Sequence, residues 1–300
     1  MNHPAKICIL VALAAVLCLA CDAPSTAQPA PAVPSQTGGA PAWMAAPVWD
    51  DGLAEFAAYA VTWKRYGALY DGRALLILVK EPWAPDLDVK ADQPRPDGFE
   101  VLKLNHVRDV ATGIYTYHQM SSLFWRRTDG ALTKIAATSS EACGISTAQM
   151  VGGSLNTRSY FDGQGERQQP YPEGVLAEDG LPASLRQYVA AEAEVPATLA
   201  IFPSLMQGRF PALEPVTYQV ERRPVESVQV PAGSGPGVEI RLTHGGEMLT
   251  YTFSPEPPHT LLRYQRGDGT VYALARVERL AYWGLSGPGQ EEWLPPETRY

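Results

Sequence analysis

Charge is scarce in this chain, and unbalanced where it occurs. Only 19% of the 300 residues are charged, against roughly a quarter in an average soluble domain. With 45% hydrophobic residues alongside, this excludes a disordered, strongly charged chain. Lys and Arg number 24 against 32 Asp and Glu, a formal charge of −8. That deficit of basic residues speaks against nucleic acid as a partner, since neutralising phosphates needs clustered Lys and Arg. Cysteine is equally sparse: Cys8, Cys18 and Cys21 crowd the start, and only Cys143 lies in the body. No apolar run is long enough to cross a bilayer, because Ile7 to Ala20 falls short of the roughly 20 residues a membrane helix needs. What the chain has in excess is 27 Pro and 26 Gly, which argues against a helical bundle.

The short apolar run has another meaning. Met1 to Lys6 followed by Ile7–Ala20 has the form of a secretory leader. It ends in Cys18-Leu19-Ala20-Cys21, which resembles a bacterial lipobox, with Cys18 standing where Leu is usual. The expectation is a signal peptide over 1–20 and lipidation, palmitate included, at Cys21; an ordinary signal peptide cleaved near Ala20 is the alternative. From Asp22 to Val48 the chain is rich in Pro, Ala, Ser, Thr and Gln without a periodic apolar face, so 21–48 reads as a tether. The protein is then expected in the bacterial cell envelope, held to a membrane by lipid and facing the periplasm or the exterior. With one thiol left, it has no internal disulfide, and its stability must come from a core.

From 49 to 300 a single β-rich body is expected, with 49–175 and 213–300 as possible halves. Candidate strands cover Glu55–Trp63, Arg73–Lys80, Glu100–Val107, Gly113–Trp125, Leu132–Ser140, Ala148–Val151 and Leu155–Phe161. They resume at Val216–Arg222, Val238–Thr243, Met248–Phe253, Thr260–Gln265 and Val271–Trp283. Turn signals such as Asp71-Gly72, Asp129-Gly130, Gly245-Gly246 and Asp268-Gly269 separate many of them. Strands joined by tight turns pair antiparallel. The fold class is therefore mostly β, an antiparallel meander forming a barrel, half-barrel or sandwich. Leu181, Leu185, Tyr188 and Val189 fall at helical spacing, which predicts one short helix around 181–195 within a non-strand insertion over 176–212.

A series of short motifs carries a resemblance. Thr112-Gly113-Ile114-Tyr115-Thr116-Tyr117, Met120-Ser121-Ser122-Leu123-Phe124 and Thr138-Ser139-Ser140-Glu141-Ala142-Cys143-Gly144 occur in order. Ser159-Tyr160-Phe161-Asp162-Gly163-Gln164-Gly165-Glu166, Phe202-Pro203-Ser204-Leu205 and Tyr282-Trp283 follow. Together they resemble a family of uncharacterised bacterial lipoproteins, which brings no activity, cofactor or ligand with it. Some members have been called septum formation inhibitors of the Maf type. The Ser-x-Ser-Pro-Arg-Arg start of true Maf pyrophosphatases is missing here, and their cytoplasmic compartment does not fit. The resemblance implies Trp-Cys-Gly-His around Cys143, where this chain has Ala142 and Ile145.

Candidate chemistry is thin. A reactive Cys143 would need a neighbouring His or a helix N-terminus; a buried structural thiol is the commonplace reading. His106 and His118 lie on adjacent candidate strands and share a face only in one of two registers. No third ligand at a recognisable spacing and no His-Glu-x-x-His accompany them, so neither metal nor cofactor is expected. His244 and His259 read as solvated turn residues, Asp162–Glu166 as a hairpin turn, and Gly233, Gly235 and Gly237 as a mobile loop. The expectation is a non-catalytic binding or structural module for an apolar or amphipathic envelope ligand, or for an envelope protein. The alternative is an envelope enzyme using Cys143 or a His106/His118 site.

Overall fold

The computed structural model describes residues 39–190 and 193–294. The leader over 1–20, the lipidation at Cys21 and the tether as far as residue 38 lie outside the described residues.

Period-two alternation builds the sheet. In Tyr115–Arg126 the odd positions Tyr117, Gln119, Ser121, Leu123 and Trp125 are buried, and the even ones are not. Sixteen strands result among the described residues. The first nine are β1 (Ala54–Arg65), β2 (Ala68–Ala84), β3 (Val89–Lys90), β4 (Phe99–Thr112), β5 (Tyr115–Arg126), β6 (Leu132–Glu141), β7 (Gly144–Val151), β8 (Ser154–Arg158) and β9 (Glu166–Pro170). The others are β10 (Leu176–Ala177), β11 (Thr198–Phe202), β12 (Val216–Val230), β13 (Gly233–His244), β14 (Glu247–Phe253), β15 (Leu261–Arg266) and β16 (Val271–Leu280).

They form one sheet in the order β10 to β16, then β1, β2 and β4 to β9, with β3 beside β2. Every pairing is antiparallel except β10 with β11. Leu155 on β8 and Ile240 on β13 stand far apart in this order, yet both belong to one apolar cluster with Leu181, Leu185 and Phe202 of the insertion. The sheet therefore curls around the insertion without closing, an open version of the expected barrel. Alternation of direction puts the β1–β2, β4–β5, β6–β7, β13–β14 and β15–β16 turns at one end.

Several expectations are corrected. The 176–212 insertion is not free of strands, because β10 and β11 extend the sheet; its helical part among the described residues is one α-turn, Leu181–Ser184, between 3₁₀ turns over Glu178–Gly180 and Leu185–Tyr188. Asp71-Gly72 is no turn but lies inside β2, where a Cβ on Gly72 would strike the carbonyl oxygen of Asp109. The chain reverses instead at Tyr66-Gly67, with both residues at positive φ. The 233–237 glycines belong to β13, paired with β12. The body begins before residue 49. A short helix, Ala42–Ala45, and a 3₁₀ turn, Pro47–Asp50, bury Trp43, Met44 and Trp49 in the main core.

The insertion is fixed by charge as well as by packing. Arg186 makes a two-pronged ion pair with Glu55 of β1 at 2.6 and 3.1 Å, both side chains almost fully buried. Arg186 also donates to the Pro258 carbonyl at 2.9 Å, and Thr260 donates to Glu55 at 3.2 Å.

Candidate functional site

Inside the curl, between the sheet and the 203–212 segment, lies a cleft of about 710 Å³. Its floor follows from register. Tyr251 stands opposite Tyr264, and Tyr264 opposite Tyr272, so a row of tyrosines crosses β14, β15 and β16. Tyr251 and Tyr264 stack at 4.7 Å; Tyr264 meets Tyr272 edge-on at 5.5 Å. Burial holds all three phenols protonated by pushing their pKa upward.

One end of the cleft is polar. Arg108 of β4 points to the same face as Ala74 across the strand pair on one side and Gln119 on the other. It donates to the Gln119 side-chain oxygen, at 2.9 Å through Nε, and to the Tyr272 hydroxyl at 3.3 Å. Gln119 is in turn held by Ser139 and the Met206 carbonyl. His106 shares the Tyr272 hydroxyl through Nε2 at 3.3 Å, and its Nδ1 lies 3.3 Å from the Asp179 carbonyl. A carbonyl only accepts, so Nδ1 carries the proton, and Nε2 accepts from Tyr272. Burial, reinforced by the nearby Arg108 charge, lowers the His106 pKa to about 3, so this imidazole is neutral at physiological pH.

Asp179 is the opposite case. Burial pushes its carboxyl up to about 6 and the adjacent Glu178 adds to the rise, against hydrogen bonds from Ser204 and the Leu205 amide and the charge of Arg108. A carboxyl raised in the folded state contributes stability that is complete below its ordinary value of 3.8 and is lost as pH climbs through 6. His106, being lowered, contributes stability that is present above 6.5 and is lost as pH falls towards 3. The two effects oppose each other between pH 4 and 6. In Asp179→Asn the loss on the alkaline side should vanish, changing the stability difference between pH 4 and 7 by up to about 3 kcal/mol. Urea titrations across that range measure it, and an unchanged slope would show that Asp179 ionises as a solvated acid.

The structure separates the residues singled out from sequence. His106 stands opposite Ser121, so His118 projects from the other face of the sheet, where its Nδ1 meets Asp109 at 2.5 Å. The pair cannot share a ligand. Cys143 is exposed in the β6–β7 turn, not buried, and is hydrogen-bonded to Tyr115. His259 is buried rather than solvated, its Nδ1 3.2 Å from the Ser254 carbonyl, whereas His244 is exposed. Among the described residues no group of three His, Cys, Asp or Glu is placed to hold a metal. The residues that sequence reasoning missed are Arg65, Arg108, Asp179, Arg266 and the tyrosine row.

A second concavity of about 720 Å³ lies on the outer face of β5 to β9, lined by small neutral side chains such as Ser122, Ala136, Thr138 and Thr147. It brings together no buried ionisable groups.

No family model and no curated protein matches the chain. One solved structure is similar. It is the crystal structure of a β-barrel-like protein of domain of unknown function DUF1849 from Brucella abortus, 11% identical, covering 77% of this chain and 99% of that one with a TM-score of 0.45. At that distance the likeness bears on neither site nor ligand.

Proposed function

We propose that this protein is a lipid-anchored module of the bacterial envelope that binds an amphipathic ligand in the inner cleft without transforming it. One observation carries the reading: a cleft of about 710 Å³ combines an aromatic floor with polar groups gathered at defined points. That volume is within the usual range for small-molecule sites, roughly 300–1,000 Å³, which are mostly apolar with a few fixed polar groups. The Arg108–Tyr272–His106 chain ends on a backbone carbonyl rather than on a nucleophile. Ser204, the hydroxyl at the rim, is tied to Asp179 and to the Met206 amide. Groups held in this way orient a ligand; they do not attack one. Anchoring through lipid on Cys21 would leave the body tethered beside a membrane, where amphipathic molecules concentrate.

Native mass spectrometry of the protein extracted from its own membranes tests both halves. The expected result is a retained molecule of a few hundred daltons together with the mass of a lipid on Cys21. The recombinant body should also take up the neutral fluorescent probe N-phenyl-1-naphthylamine with saturable binding that Tyr264→Ala weakens. A ligand-free mass together with absent probe binding would remove the binding reading.

A further inference from the structure

The charges in the cleft are not paired evenly. Arg266 serves two acids at once, Glu178 at 2.8 Å and Glu247. Arg108 on β4 and Arg65 on β1 have no carboxylate partner among the described residues. Arg108 is only 9% exposed, and its hydrogen-bond partners, Gln119 and Tyr272, are both neutral. Its guanidinium lies 4.5 Å from the centre of the Trp63 ring. Arg65 follows Trp63 by two residues on β1 and so shares its face. Its guanidinium is 5.6 Å from the Trp63 ring, 4.7 Å from Tyr66 and 5.4 Å from Tyr117. The Tyr117 and Tyr66 hydroxyls also hydrogen-bond this guanidinium, while its Nε is buried with no hydrogen-bond partner among the described residues.

Buried charges are normally paired, because an isolated one forfeits its hydration without recompense. Ring faces and neutral oxygens soften that cost without cancelling it. Asp179 acts on Arg108 through charge alone, because its carboxylate accepts its hydrogen bonds from Ser204 and the Leu205 amide instead. Two guanidinium groups held against one indole, one with a free donor, form a receiver for a planar or tetrahedral oxyanion.

We infer that Arg65 and Arg108, both packed on Trp63, receive an anionic group, a carboxylate or phosphate, at the polar end of the bound molecule, so that the ligand class is an anionic amphiphile. The inference rests on the binding reading above and narrows it. The apolar portion lies along Tyr251, Tyr264 and Tyr272, and the anion meets the two arginines.

The test uses displacement of N-phenyl-1-naphthylamine from the recombinant body by three competitors: hexadecanoic acid, its methyl ester and inorganic phosphate. The acid should compete at least about tenfold more tightly than the ester, since a charge-assisted pair contributes more than a neutral contact. Arg108→Met and Arg65→Met should each weaken the acid about tenfold or more and leave the ester unchanged. Arg65→Met, at the half-buried position, keeps the test valid should Arg108→Met fail to fold, and Arg65→Lys should regain only part of the affinity. Acid and ester competing equally in the unsubstituted protein would overturn the anionic class while leaving the binding reading intact. Failure of both to compete would overturn the two together. Inorganic phosphate competing as tightly as the acid would make the ligand a free anion and overturn the amphiphile.

Discussion

Arg186→Ala should lower the unfolding free energy by about 3–5 kcal/mol, the range seen when one partner of a buried ion pair is removed. Glu55, at 2% exposure, would be left as a buried carboxylate with Thr260 as its side-chain donor among the described residues. The pair is costly to form, so its worth lies less in net stability than in position. It ties the helical insertion to β1 and, through the Pro258 carbonyl, to the β14–β15 connection. Replacing both partners with apolar residues, Glu55→Leu with Arg186→Met, should therefore recover much of the loss. Chemical denaturation of the two single variants and the double variant measures the coupling. Single variants within about 1 kcal/mol of the unsubstituted protein would show that water reaches the pair. The insertion forms one wall of the cleft, so probe affinity should fall in Arg186→Ala along with stability.

The second large effect is expected at Trp49. Trp49→Ala should cost about 3–5 kcal/mol, as for other buried aromatic truncations. The indole is 1% exposed, donates to the Trp43 carbonyl at 2.6 Å and lies under the Arg279 guanidinium at 5.1 Å. Arg279 also donates to the Val48 carbonyl at 2.7 Å, and Asp50 pairs with Lys80 and Arg127. A chain beginning at residue 39 should melt with the full body, while one beginning at residue 51 should melt well below it. Equal melting of the two would mean that the Trp43–Trp49 segment is not part of the folded core.

The difference between tether and body was partly legible. Trp43, Met44, Val48 and Trp49, in a stretch otherwise made of Ala and Pro, are more apolar surface than a solvated linker carries, and that signal outweighs composition. The long strands were legible because one of their faces is wet, so their sequences alternate. β11 was not: Thr198–Phe202 is nearly all buried and lies between Pro196 and Pro203, with no alternation to read. Nor was β9, whose Glu166–Pro170 run at the sheet edge is wholly polar or exposed. The cleft was hidden for a different reason. Trp63, Arg108 and Tyr272 are spread over some 200 residues and meet through strand register, and Asp179 reaches them on a 3₁₀ turn of the insertion. His106 and His118 teach the same lesson: a single-residue choice of register decides whether two side chains meet or face apart. The lack of an ion partner for Arg65 and Arg108 among the described residues is a property of space, which composition does not record.

The pairing of β1 with β16 has a consequence for how the protein comes into being. Ala54 lies beside Leu280, so the seam between the early and late halves closes only after the last strand has been made. A chain that emerges N-terminus first must hold the free edge of β1 unpaired while some two hundred residues follow it. Closing so large a loop makes for slow folding, and the waiting edge is the molecule's point of greatest exposure to wrong partners. The seam that completes the sheet is thus also its latest-forming joint.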